Sequence, residues 1–204
     1  MCNGRSATKN SESHSCACSG HRDGEAGRTV DASTELILPA VTFPTQRVLK
    51  IAGEENLRQL TRRHHALLQS SPIAGLFTKD PWAFAKLAER VADFVVEACG
   101  GATAYSEQQG DTCMRTRHFA FTIDESAREI WLAALFQAMA DVDFPIEVRD
   151  EYWTWLEAFS IRMVNRRTMK AQPVRIPFVM AQLRFGGRSG GGPQCGIGIR
   201  FCPH

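Results

Sequence analysis

No apolar run among the 204 residues approaches the roughly 20 that a bilayer-spanning helix needs. The N-terminus is polar where a secretory leader requires a continuous apolar stretch, so neither insertion nor export is expected, and the cytoplasm is the expected location. An excess of one charge is also missing. With 24 basic and 22 acidic side chains and a net charge of +2, no nucleic-acid partner and no anionic-membrane partner is expected. No internal repeat occurs, and no Cys-x-x-Cys pair. The seven cysteines (Cys2, Cys16, Cys18, Cys99, Cys113, Cys195 and Cys202) are odd in number and five lie in the terminal regions, which argues against a secreted disulfide framework and for reduced thiols. His14, Cys16, Cys18 and His21 offer metal-ligating side chains, but without zinc-site spacing and within a Ser/Gly-rich stretch, so they read as part of a disordered tail. The glycines at 186–187 and 190–192 lack the strand–GxxxxGK[ST]–helix context of a phosphate loop.

What is present is a helical domain between two unlike extensions. A hydrophobic fraction of 44% suffices for an ordinary core. Residues 1–45 are polar and contain Cys and His, and they read as disordered apart from an extended arm at 36–44, where prolines exclude a helix. From Glu54 to Ser70, Leu57, Leu60, Leu67 and Leu68 recur at helical spacing; His64 falls on that stripe and His65 about 100° round, towards its flank. Pro72 to Phe77 reads as a turn or 3₁₀ piece. Asp80 and Pro81 start a second helix with Phe84, Leu87, Val91, Phe94 and Val95 on one face, and Gly100-Gly101 stops it. A loop from Ala102 to Thr122, with room for one helical turn, leads to a third helix capped by Asp124, with Ala127, Ile130, Trp131, Ala134, Leu135 and Ala138 inward. A fourth, from about Ile146 to Arg167, turns Val148, Tyr152, Trp155, Leu156, Phe159 and Met163 to one side. The expected domains are therefore 1–45, 46–170 for the helical unit, and a Gly-rich 171–204, whose prolines and glycines argue for a loose hairpin or disorder rather than a helix.

The loop carries the chemistry. The run Tyr-Ser-Glu-Gln-Gln-Gly-Asp-Thr-Cys-Met-Arg-Thr-Arg-His-Phe-Ala-Phe-Thr-Ile at 105–123 holds one histidine, His118, flanked by Arg115, Arg117, Phe119 and Phe121, and Trp131 follows on the next helix. A histidine among arginines and aromatic rings is what a chain needs to hold a haem iron from one side: imidazole for the metal, guanidinium for the propionates, rings for the porphyrin.

This run resembles the proximal segment of the truncated haemoglobins, most closely their second group, whose pattern reads Tyr-Ser-Glu-x-x-Gly-x-Pro-x-Leu-Arg-x-Arg-His-x-Pro-Phe-x-Ile with a tryptophan on the next helix. Tyr105, Ser106, Glu107, Gly110, Arg115, Arg117, His118, Phe121, Ile123 and Trp131 fall in register. Thr112 and Ala120 stand where the family has prolines and Met114 where it has leucine, which loosens the loop that aims the histidine. The resemblance spans about Leu57 to Arg166. It implies an all-α, two-over-two helical sandwich with disordered or irregular terminal extensions, and a haem b whose iron is held by His118 Nε2, leaving a sixth position open.

On this reading Tyr105, Arg115 and Arg117 bind the propionates, Phe77, Phe84, Leu87, Val91, Phe94 and Phe121 shape the haem cavity, and Trp131 donates its indole N–H to the bound ligand. The family usually supplies a tyrosine from its first long helix; this chain has His64-His65 there, and counting back from Phe77 selects His64 as the pocket residue, with a ligand response expected between about pH 5 and 8. Oxygen binding or transport, oxidation of nitric oxide in the manner of a dioxygenase, and peroxidase-like chemistry all fit such a site, the latter two with a reductase partner. Two other classes remain open, a haem- or thiol-based sensor with the tails as output and a haem-free helical interaction protein.

Overall fold

The computed structural model describes residues 36–110 and 113–188. The N-terminal cluster of Cys2, His14, Cys16, Cys18 and His21, and Cys195 and Cys202 at the other end, lie outside the described residues. Within them the chain is helical, with no strand: α1 Gln46–Ala52, α2 Glu54–Gln69, α3 Pro81–Ala98, α4 Ala104–Gln109, α5 Met114–Arg117, α6 Glu125–Asp141, α7 Ile146–Met163 and α8 Phe178–Phe185, with 3₁₀ turns at Ala74–Leu76 and Gly186–Arg188. No helix among the described residues is long and apolar enough to cross a membrane.

The four long helices form two layers of two. α2 packs on both α3 and α6, and α6 also meets α7. The expected start signals are used. Asp80 Oδ1 accepts from the Trp82 N–H at 3.1 Å ahead of α3, and Asp124 Oδ1 accepts from the Ala127 N–H at 2.8 Å ahead of α6, each satisfying an orphan donor of a first turn. The Gly-Gly stop has two separate causes. Gly100 sits at φ +85°, a conformation side chains avoid, and a Cβ on Gly101 would lie 2.5 Å from Val96 Cγ1.

Three expectations change. The Ala102–Thr122 loop contains two short helices, α4 and α5. α7 ends at Met163 rather than near Arg167, because Asn165 and Arg166 turn their N–H groups, both at 3.0 Å, onto the Ile123 carbonyl instead. The C-terminal region is not a hairpin in its described part: it forms α8, whose Phe178 and Phe185 rings pack against Phe136 and Trp153 and whose Ala181 is fully buried. Proline at 177 stands just before the helix, where its missing N–H costs nothing.

That extra helix explains a further difference. α6 and α7 bury more than the single faces read from the sequence. Leu132 and Met139, and Trp153, Glu157, Ala158 and Ile161, are buried as well; α8 contacts both helices, and its Phe178 and Phe185 cover Trp153. The stretch before α1 lies along α7 as an extended arm, as expected: Arg162 Nη2 donates to the Pro39 carbonyl at 2.8 Å, and Phe43 packs on Trp155.

Candidate functional site

The two layers and the α4–α6 connection enclose a cavity of about 230 Å³ whose lining is mostly aliphatic and aromatic. Of the residues singled out from the sequence, Phe77, Leu87, Val91, Phe94, Phe121, His118, Trp131 and His64 line it. Phe121 is 43% exposed while lining it, so the cavity reaches the surface there.

His118 is the C-cap of α5. Its Nδ1 lies 2.6 Å from the Met114 carbonyl oxygen, one turn back. A carbonyl can only accept, so Nδ1 carries the proton and Nε2 keeps a lone pair. The connection is then fixed from outside by Asn165, whose Nδ2 donates to the carbonyls of His118 (3.0 Å) and Phe121 (2.7 Å) while its Oδ1 accepts from the Ile123 N–H (2.9 Å). Three side-chain bonds from one residue thus hold the connection between α5 and α6. Asn165 carries no catalytic signature in the sequence, and its role depends on α7 ending where it does.

α2 contributes both histidines. The stripe that placed His64 inward and His65 on a flank assumed one packing partner, but α2 has two. His64 faces α6, its ring edge-on to Trp131 at 4.6 Å; His65 faces the other side, against Phe77 and Phe84 at 6.3 Å each. Both are buried and both line the cavity. His64 Nε2 donates to the Trp131 carbonyl (3.1 Å) and His65 Nδ1 to the Thr61 carbonyl (2.8 Å). Burial, reinforced by the neighbouring His65, pushes the His64 pKa down to about 3, and burial lowers that of His65 too. The pH 5–8 window expected for His64 therefore moves to more acid values. Trp131's indole N–H takes no partner among the described residues.

Other expected residues stand back from the cavity. Phe84 forms a second layer behind His65 and Phe77. Tyr105 is buried under Phe94, its hydroxyl 3.7 Å from Met114 Sδ, with the Arg117 guanidinium over its ring. Arg115 and Arg117 are exposed on α5, and Arg117 Nη2 donates to the Gln109 carbonyl. Lining residues that periodicity did not single out for the site include Thr61, Met114, Tyr152, Arg128 and Ser160. Arg128 is held at 2.6 Å by Glu157, which is 1% exposed and also accepts from Arg175 Nε and the Ile176 N–H. The charge at this end of the cavity is thus paired, which is what a buried carboxylate requires. No cluster of three or more His, Cys, Asp or Glu side chains able to hold a metal ion occurs among the described residues.

A flat apolar cofactor with one metal-binding face suits this arrangement. The walls are apolar, one imidazole lines them with its Nδ1 anchored to a backbone carbonyl, and two arginines lie exposed on the helix that this histidine caps. The sequence model of the family described as bacterial-like globin matches residues 49–165. The group 2 truncated hemoglobin YjbI of Bacillus subtilis (strain 168) is 30% identical over 115 residues, 56% of this chain and 85% of that protein. Among solved structures, phosphate-bound Hell's gate globin IV is similar at 46% identity and a TM-score of 0.73, covering 78% of this chain and 99% of the other. The truncated oxygen-avid haemoglobin of Bacillus subtilis is 28% identical, with a TM-score of 0.54 over 58% of this chain and 98% of the other.

Proposed function

Because the chain belongs to the bacterial-like globin family, we propose that its cavity holds haem b with His118 Nε2 as the iron's protein ligand and that it binds oxygen. Haem-based binding of small gaseous ligands is what the family carries in general; when bound, the haem supplies an iron with an open position for a diatomic molecule. The observation that carries the reading is the tautomer of His118: the Met114 carbonyl takes the Nδ1 proton, so the ring offers its lone pair at Nε2 on a side chain that lines an apolar cavity. Such an anchored second nitrogen also raises the basicity of a ligating imidazole and fixes its plane.

The other residues follow from chemistry and position. Phe77, Leu87, Val91, Phe94 and Phe121 exclude water and offer faces and edges to a porphyrin, with Phe84 as backing. Arg115 and Arg117, exposed beside the histidine, pair with the propionates, and Tyr105 supports Arg117 from beneath. Trp131 would offer its indole N–H to a hydrogen-bond-accepting ligand in the cavity. Oxygen is favoured because that donor is uncommitted and because a similar structure is that of an oxygen-avid haemoglobin. Oxidation of nitric oxide or peroxide chemistry, with a reductase, are further uses of the same site.

Titration of the purified full-length chain with haemin, followed by absorbance, tests this. One haem per chain with a sharp Soret band is expected. Unsaturable uptake without that band would leave the chain a helical protein without cofactor.

A further inference from the structure

His64 and His65 each have one N–H, and each spends it on a backbone carbonyl, Trp131 for His64 and Thr61 for His65. What remains on each ring is a lone pair, at His64 Nδ1 and His65 Nε2, with no partner among the described residues. The rings lie 5.7 Å apart at their centroids and line the same cavity. A tyrosine at this place would carry a rotatable O–H that can donate; these imidazoles cannot, unless they break a backbone hydrogen bond or take up a proton. Burial opposes the second course, since it favours the neutral rings. The first would leave a buried carbonyl unpaired.

We propose that α2 presents a hydrogen-bond-accepting wall to the cavity, made by His65 Nε2 with His64 Nδ1 beside it, which holds small ligands carrying an X–H bond, hydrogen sulfide among them, and adds nothing to the binding of ligands that can only accept. Of the two, His65 is the specificity-determining residue, because His64 is tied to α6 by both its Trp131 hydrogen bond and its ring contact, whereas the hydrogen bond of His65 stays within its own helix. Trp131 then supplies the opposite polarity, an N–H for acceptors. The cavity therefore sorts ligands by which way their hydrogen bond runs. The inference rests on haem occupying the cavity, and its test separates the two claims.

The haem-loaded ferric protein is titrated with sulfide and with fluoride, a ligand that only accepts, and binding is read from the absorption spectrum in wild type, His65→Leu, His65→Gln and Trp131→Phe. His65→Leu should weaken sulfide binding about three- to tenfold, the effect of losing one hydrogen bond, and leave fluoride within about twofold. His65→Gln, which restores an acceptor oxygen, should recover most of the sulfide affinity, and Trp131→Phe should weaken fluoride alone. Equal changes for both ligands in His65→Leu, or none, would overturn the proposal. If the leucine variant does not fold, the ¹⁵N spectrum of the wild-type imidazoles decides: His65 protonated at Nδ1 and bare at Nε2 supports the proposal, and the opposite tautomer ends it. A chain that takes no haem at all contradicts the proposed function instead, and the ¹⁵N spectrum still reports the tautomer.

Discussion

Trp131→Phe removes an uncommitted donor from the cavity wall while keeping an aromatic ring against His64. A hydrogen bond to a partly charged acceptor contributes about 1.5–3 kcal/mol, so the substitution should speed oxygen dissociation roughly ten- to hundredfold in stopped-flow measurements. A change below about twofold would make Trp131 a packing residue only. The two α2 histidines make a separate prediction, about stability. Their pKa values are lowered in the folded protein from about 6.5, His64 to about 3, so below pH 6.5 the unfolded chain binds protons that the folded chain does not. Stability should therefore be fully present above about pH 6.5 and fall as the pH drops below it, with His64 contributing down to about pH 3 at up to about 1.4 kcal/mol per pH unit and His65 adding in the same direction. Urea unfolding at a series of pH values checks this, and His64→Leu should make the slope shallower; an unchanged slope would mean that His64 is protonated in the fold. Sequence reading placed His64, Trp131 and His118 at the cavity they line but put His65 on a flank, because one apolar stripe cannot show that a helix packs on two neighbours at once.

At the scale of elements, the aim of His118 depends on the end of α7 meeting the connection between α5 and α6. Asn165→Ala deletes three hydrogen bonds to that connection without touching the cavity. Haem should still bind, but its transfer to a competing apoglobin should be at least several-fold faster, with far-UV circular dichroism unchanged. An unaltered transfer rate would show that the Met114 carbonyl alone fixes the ring. α8 carries a second prediction. Ile176 and Ala181 belong to the main core, and the buried Trp153 donates its indole N–H to the Ile176 carbonyl at 2.6 Å. Ile176→Ala should cost about 2–4 kcal/mol in chemical denaturation, and a chain cut after Gln172 should lose more, although the prolines and glycines beyond that residue had argued for a loose hairpin or disorder. Prolines and glycines signalled a break in that region, and the break is real at Pro173 and Pro177. What they hid is the short Phe178, Ala181, Phe185 spacing, which only becomes a helix face because Phe136 and Trp153 wait for it.

For the whole molecule, the four long helices were legible because their signals are local: leucines at helical spacing, Asp80 and Asp124 as caps, and Gly100-Gly101 as a stop; their two-over-two arrangement came only from the family resemblance. The site was legible through one run of residues, 105–123, and through Trp131. Long-range partners were not, since neither the Glu157–Arg128–Arg175 cluster nor the Asn165 clamp leaves a periodic trace. The likeness to Hell's gate globin IV over 78% of the chain extends beyond what residues 49–165 can supply, so part of the chain outside the family range is shared with that structure. The proposed function stands on His118 Nε2 holding the iron. Its most direct test is the absorption spectrum of His118→Gly loaded with haem, recorded without and with imidazole in the buffer. Loss of the wild-type Soret band, and its return as imidazole takes the vacated place, is the predicted result; a variant whose spectrum and haem stoichiometry match the wild type without imidazole would contradict it.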